Sequence, residues 1–112
     1  MDVGAVLDCL SKIERENLRA THHFQERVEE RKSDIHPDLN GIYDIILNEK
    51  PVGILKQEEE KFKLYYEQTK KHDLIIIMSI KSIDPVIINL VTCFLEEAKK
   101  RRRPDEAGIS GN

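Results

Sequence analysis

Apolar residues recur at helical spacing through the first third of the chain. At about 100° per residue they share one stripe. Its members are Val3, Val6, Leu7, Leu10, Ile13, Ala20, Phe24 and Val28. Asp2 is a suitable N-terminal cap, and the first proline is Pro37. The pattern therefore predicts one long helix over residues 2–32, within an N-terminal segment 1–34, that ends before Pro37 because the residue preceding a proline disfavours the α region.

Between residues 41 and 80 the spacing changes to the alternation that is typical of strands. The pattern predicts four strands, at Ile42–Leu47, Val52–Gln57, Phe62–Glu67 and Leu74–Ile80. In the third of them Phe62, Leu64 and Tyr66 share one face, and Tyr65 points to the other. Connections of about four to six residues favour an antiparallel meander, in which the last strand is an edge.

The last apolar segment follows Asp84-Pro85, where aspartate suits a helix cap and proline suits the first helical turn. This predicts a second helix over residues 84–103. Residues 105–112 contain two glycines and predict a flexible tail. The expected fold is α+β in the order α-β-β-β-β-α: a long N-terminal helix, a four-stranded antiparallel meander and a C-terminal helix, as one domain over residues 1–104.

Composition indicates a folded domain that lacks export and membrane segments. The chain has 112 residues, and 18 basic against 21 acidic residues leave a net charge of −3. Its start has no signal-like apolar centre, and the longest apolar run, Leu74–Met78, is far shorter than the roughly 20 residues of a membrane span. Cys9 and Cys93 form no CxxC pair and are expected to be structural thiols. We therefore expect an intracellular protein without a membrane partner.

Three features favour assembly with a protein partner. A helix over residues 3–31 is about 43 Å long, so roughly half of it overhangs a sheet of six-residue strands. Leu74–Met78 is apolar on both faces of an expected edge strand, and the second helix is apolar over more than one face. These features predict a homodimer or heterodimer. The predicted partner-binding residues are Leu10, Ile13, Asn17, Ala20, Phe24, Val28, Ile75 and Ile77.

Asn17 falls in the middle of the apolar stripe, at a heptad a position. A single asparagine there sets the register of a coiled coil at some cost in stability. The alternative is that Asn17 marks the point where one amphipathic helix leaves its own core.

Motifs for catalysis or cofactor binding are absent from the sequence, which contains no GxSxG, GxxxxGK[ST], GxGxxG or HExxH. His22 and Glu26 share a helical face, but two ligands are too few for zinc. We therefore predict a protein that is not an enzyme, with no catalytic residues, no metal and no cofactor.

The most distinctive polar feature is a basic run near the C-terminus. It consists of Lys99, Lys100, Arg101, Arg102 and Arg103. Three roles remain open for it: a complement to the helix dipole, a nuclear import signal, or a patch that binds nucleic-acid phosphates. The sequence favours a non-catalytic interaction subunit or adaptor, cytoplasmic or, with an import signal, nuclear. The alternative is a small nucleic-acid-binding protein.

Overall fold

A computed structural model describes residues 1–100 and shows an α+β fold. Its helices are α1 (Val3–Leu10), α2 (His22–Arg31) and α3 (Leu39–Asn48). Its strands are β1 (Leu18–Ala20), β2 (Gly53–Glu58), β3 (Lys61–Glu67), β4 (His72–Ile83) and β5 (Val86–Glu97). Short 3-10 turns precede β1 and follow β5.

The strands form one mixed sheet in the order β1-β5-β4-β3-β2. β1 runs parallel to β5, and all other neighbours are antiparallel. The predicted four-stranded meander with a long N-terminal helix is therefore wrong. Of its four strands, the last three lie close to their predicted positions, as β2, β3 and β4.

The predicted long helix is two helices separated by a turn and a strand. α1 begins where expected, since Asp2 accepts a hydrogen bond from the Ala5 backbone N–H at 2.8 Å, but it ends at Leu10. Thr21 then starts α2 by accepting a hydrogen bond from the Phe24 N–H at 3.1 Å. The apolar stripe is thus divided between α1, the connection with Ile13, β1 with Ala20, and α2, all packed on the protein's own core, and no overhang remains.

Asn17 stabilises the connection between these two helices. Its side-chain oxygen accepts a hydrogen bond from the Glu14 N–H at 2.7 Å, and its amide donates to the Val86 carbonyl of β5 at 2.9 Å. These bonds join the turn to β5 and align β1 beside it. The polar residue in the stripe therefore lies within a turn in this structure, as a link to β5.

The first predicted strand, Ile42–Leu47, lies within helix α3. Asp38 caps this helix by accepting a hydrogen bond from the Gly41 N–H at 2.8 Å. Ile42, Ile45 and Ile46 have the i, i+3, i+4 spacing that places all three on one helical face, where they are buried. The strand prediction is wrong because a short apolar run fits a strand as well as a helix, and here the cap at Asp38 starts a helix.

The predicted second helix, over residues 84–103, is mainly strand β5. Its β-branched residues pack well on a pleated surface. They are Val86, Ile87, Ile88, Val91 and Thr92. A turn with a cis Asp84-Pro85 bond joins β4 to β5. Because β5 pairs with the far side of β4, β4 is the middle strand of the sheet and not an apolar edge. The predicted tail over 105–112 lies outside the described residues.

The three helices pack on one face of this sheet, which we call the covered face. Phe62, Leu64 and Tyr66 of β3 point to it as predicted, and Phe24 of α2 lies against the same core. Other members of this core include Val6, Leu10, Val28, Ile42, Ile46, Leu74, Ile76, Met78, Ile88, Leu90 and Cys93. The opposite side of the sheet has no helix on it among the described residues.

Candidate interaction surface

The side of the sheet away from the helices carries two aligned rows of side chains, which we call the open face. Strand register places Tyr65, Ile75 and Phe94 in one row. The next row contains Leu55, Lys63, Ile77 and Thr92. Tyr65 and Ile75 are buried although they lie outside the helix-covered core, whereas Leu55, Ile77 and Phe94 are only half-buried. An apolar strip thus remains partly accessible across four strands.

Lys63 lies across the centre of the open face. Its ammonium is 5.1 Å from the centroid of the Tyr65 ring and 3.3 Å from Glu96 Oε2. The side chains of Lys63 and Glu96 are only 18% and 17% exposed, so this is a partly buried ion pair. Burial lowers the pKa of Lys63, but its interactions with Glu96 and Tyr65 raise the pKa by more, and the net shift is upward. Lys63 is therefore held as a cation over the Tyr65 ring.

One end of the open face is acidic. Strand register aligns Glu67, Asp73 and Glu96 directly across β3, β4 and β5. Of these three, Glu67 is exposed, Asp73 is buried, and Glu96 is paired with Lys63. No group of three or more metal-ligating side chains with suitable geometry occurs in the described part of the chain.

On the covered face a cysteine and a histidine meet. Cys93 Sγ lies 3.9 Å from His36 Nε2, and His36 Nδ1 lies 3.0 Å from the Pro37 carbonyl oxygen. Because that carbonyl can only accept, Nδ1 carries the proton in this bond, and Nε2 can accept from the thiol. Arg31 also donates a hydrogen bond to the Cys93 carbonyl at 2.6 Å. These bonds fasten the α2–α3 loop to β5.

The Cys93–His36 pair is unsuited to nucleophilic chemistry. Cys93 is 1% exposed, and burial raises the pKa of its thiol to about 12, although the nearby Arg31 lowers it slightly. The thiolate is the reactive form, and at neutral pH almost none is present. Cys9, the other free cysteine in the described residues, is half-buried on α1.

The structure distributes the predicted partner-binding residues between two places. Leu10, Phe24 and Val28 are buried in the protein's own core, while Ile13 and Ala20 pack against that core. Asn17 holds the turn before β1, as described above. Only Ile75 and Ile77 lie on the open face.

Sequence reasoning missed the other open-face residues, which are Leu55, Lys63, Thr92, Phe94 and Glu96. Alternation within β3 placed Tyr65 on this side correctly. The contribution of β5 does not follow from the sequence prediction, which makes that segment a helix. The β-branched composition of the segment is the signal that favours a strand, and in a strand Thr92, Phe94 and Glu96 share one face.

The two described residues of the basic run, Lys99 and Lys100, form ion pairs with Glu97. Lys99 and Lys100 follow β5 in a 3-10 turn, and their ammonium groups lie 3.4 Å and 3.9 Å from Glu97 carboxylate oxygens. Arg101, Arg102 and Arg103 lie outside the described residues.

The other predicted polar pair, His22 and Glu26, lies on the exposed side of α2, with His22 Nε2 3.6 Å from Glu26 Oε2. Across residues 1–100 no helix is long and apolar enough to span a membrane.

Comparison with known proteins gives a family match over most of the fold. Residues 4–78 match the MJ0788 family, a range that runs from α1 into β4 and leaves β5 outside it. A relative in Methanocaldococcus jannaschii, uncharacterized protein MJ0788, is 37% identical over 76 residues, which are 68% of this chain and 95% of the relative. No solved structure matches. The chain belongs to the MJ0788 family.

Proposed function

We propose that this protein is a non-catalytic interaction subunit or adaptor that binds a protein partner through the open face of its sheet. One observation carries the proposal: the helices cover one face, and the other keeps Leu55, Ile77 and Phe94 partly accessible around the Lys63–Glu96 ion pair. An apolar strip with a charged pair at its centre resembles the composition of protein interfaces, in which apolar contacts are combined with few, well-paired charges.

The arrangement of side chains favours a protein partner over nucleic acid. At one end of the open face the exposed carboxylate of Glu67 would repel phosphates, and the Lys63 ammonium on this face is already paired with Glu96. Lys99 and Lys100 are paired with Glu97. The protonated thiol of Cys93 argues against its use as a nucleophile, in line with a binding role. We propose an intracellular location for this protein, because the free thiols Cys9 and Cys93 are typical of a reducing compartment.

The test compares protein capture by three tagged forms of the chain from an extract of its source cells. Phe94→Glu places a charge on the open face, and His23→Glu places the same charge on the exposed side of α2, where Arg27 can still donate to it. We expect wild type and His23→Glu to retain the same proteins at high salt, and Phe94→Glu to lose at least about nine-tenths of them, as for a disrupted hot spot.

Two outcomes contradict the proposal. One is capture of the same proteins by Phe94→Glu and wild type, with circular dichroism showing that both are folded. The other is a retained fraction that nuclease removes and that falls steeply with salt, which would favour the nucleic-acid alternative.

A further inference from the structure

The outer edge of β5 is covered by a neighbouring strand over only part of its length. β5 has 12 residues, and β1 pairs with three of them, Ile88, Asn89 and Leu90. No strand of the described residues lies beside the segment that follows, residues 91–97. A sheet edge presents backbone N–H and C=O groups that can pair with another extended chain. This part of β5 is therefore a candidate for strand pairing.

Hydrogen bonds on the inner side of β5 indicate which of its backbone groups point outward. Immediately after β5, the Ala98 N–H donates a hydrogen bond to the Lys71 carbonyl at 2.8 Å, on the side of β4. Backbone direction alternates along a strand, so the N–H and C=O groups of Cys93, Leu95 and Glu97 point away from β4. These three residues form the outward-facing edge.

A positive charge lies at one end of this edge. Arg31, at the end of α2, donates a hydrogen bond to the Cys93 carbonyl at 2.6 Å, which agrees with the outward direction of that carbonyl. A carbonyl oxygen has two lone pairs, so this one can also accept a hydrogen bond from a second chain. Arg31 is exposed and forms no ion pair within residues 1–100.

A negative charge lies at the other end of the edge. Glu97 is exposed, and its contacts with Lys99 and Lys100, at 3.4 Å and 3.9 Å, are solvated pairs of the kind that contribute little. Its side chain projects from the same side of β5 as that of Cys93, but about 13 Å further along the strand. Glu97 is therefore too far away to pair with Arg31 of its own chain. In an antiparallel second chain the order of the two charges is reversed, so each charge meets its opposite.

We propose that the protein forms a homodimer in which the outer edges of two β5 strands pair antiparallel around a twofold axis at Leu95. Each Leu95 N–H then donates to the Leu95 carbonyl of the other copy, and Cys93 pairs with Glu97 on both sides of the axis. This register brings Glu97 of each copy beside Arg31 of the other, so the interface closes on itself. The pairing spans residues 93–97 and leaves β1 in place on residues 88–90.

The opposite edge of the sheet is less suited to such pairing. Its strand, β2, exposes Lys56, Gln57 and Glu58 and contains a bulge between Lys56 and Glu58. Charged side chains and bulges are features that protect a sheet edge from other strands. On β5, by contrast, Phe94 and Leu95 are only half-buried. The dimer uses the edge of β5 and leaves the open face of each copy accessible, so it goes beyond the proposed function.

Leu95 allows a test that is specific for the backbone. Its N–H points away from β4, so Leu95→Pro removes the outward donor without removing a hydrogen bond between β4 and β5. Leu95→Val is the matched control, because it shortens the same side chain but keeps the N–H. His23→Glu on α2 is the surface control, and circular dichroism checks that each variant is folded.

Sedimentation velocity of the full chain over a range of concentrations measures the dimer. We expect a species of twice 13.0 kDa for wild type, Leu95→Val and His23→Glu. Leu95→Pro should raise the dimer Kd by about tenfold to a hundredfold, because two symmetric hydrogen bonds are lost.

Charge reversal tests the register of the two strands. Arg31→Glu and Glu97→Arg should each raise the dimer Kd by about threefold to thirtyfold, and the double variant should restore the wild-type value. Restoration requires the other copy, because the two side chains cannot meet within one chain. This set of variants decides the test if Leu95→Pro proves to be unfolded.

The proposal is overturned if wild type stays at 13.0 kDa throughout. It is equally overturned if folded Leu95→Pro dimerises like Leu95→Val, or if the double charge reversal stays as weak as its parents. Dissociation by Ile77→Glu, with no effect of Leu95→Pro, would place self-association on the open face and would also overturn it. Loss of partner capture concerns the proposed function alone, since the dimer is measured on the purified chain.

Discussion

The covered and open faces of the sheet are made by the same strands, but they differ in how deeply their side chains are buried and in how polar those side chains are. On β3, Phe62, Leu64 and Tyr66 are fully buried under helices, while Lys63 and Tyr65 between them face the other way. The covered face is continuous apolar packing. The open face buries Tyr65 and Ile75 with the help of a lysine side chain and an ion pair. A single strand thus contributes to a core on one side and to a partly accessible apolar surface on the other.

The largest contrast between the faces should appear in core truncation. Phe62→Ala removes a fully buried ring from the covered face and should cost about 3–5 kcal/mol in the free energy of unfolding. Phe94→Ala removes a half-buried ring from the open face and should cost roughly 1–2 kcal/mol. Urea denaturation of both variants measures the difference. Equal losses would show that the open face is packed as tightly as the covered one.

Adjacent residues of β5 should differ in how they respond to pH. The Cys93 thiol has a pKa of about 12 in the folded protein against an ordinary 9.0, because burial disfavours the thiolate. Stability from this shift is complete below pH 9 and is lost as pH rises toward 12, since only the unfolded chain releases the proton.

Between pH 8 and 10.5, wild type should lose roughly 2 kcal/mol more unfolding free energy than Cys93→Ala. Phe94→Ala, altered at the next residue on the opposite face, should keep the wild-type pH slope. Parallel pH profiles for wild type and Cys93→Ala would contradict the burial of this thiol.

Two neighbouring tyrosines allow the faces to be compared with one chemical change. The Tyr66 hydroxyl is buried without a hydrogen-bond partner in the described residues, and burial together with the nearby Glu49 raises its pKa. Tyr66→Phe removes an unsatisfied polar group and should stabilise the protein by about 1 kcal/mol. Tyr65→Phe keeps the ring beneath the Lys63 ammonium but removes the hydroxyl that helps to raise the pKa of Lys63, and it should destabilise the protein by about 0.5–1 kcal/mol. Thermal melts that move in the same direction for both variants would contradict this assignment.

The smallest effect is expected where charge pairs are exposed. Lys99→Gln together with Lys100→Gln removes two exposed pairs with Glu97 and should change the unfolding free energy by no more than about 0.5 kcal/mol. Lys63→Gln breaks the partly buried pair on the open face and should cost more, about 1–2 kcal/mol. Guanidinium chloride would screen both pairs, so urea is the suitable denaturant. Equal costs would mean that the Lys63–Glu96 pair is as well solvated as the terminal one.

Local chemistry determined those parts of the fold that a few neighbouring residues can specify. Asp2 at the start of α1 is an N-terminal cap in the structure as the sequence predicts, because a capping hydrogen bond spans only three residues. The alternation in β3 likewise determined that Tyr65 and Tyr66 face opposite sides. The three strands β2, β3 and β4 could be located for the same reason.

Only the tertiary structure decided whether the longer apolar segments are helices or strands, and hence which residues form the open face. Ile42–Leu47 and Val86–Leu95 are dense enough in apolar residues to satisfy either a helix or a strand, and the choice depends on which neighbour covers them. β5 is a strand because β4 and β1 pair with its two edges, and β1, like Asn17 just before it, is far away in the sequence. Burial and pairing across such distances are properties of the folded chain, so Phe94 and Glu96 could join Lys63 on the open face only once that pairing was known.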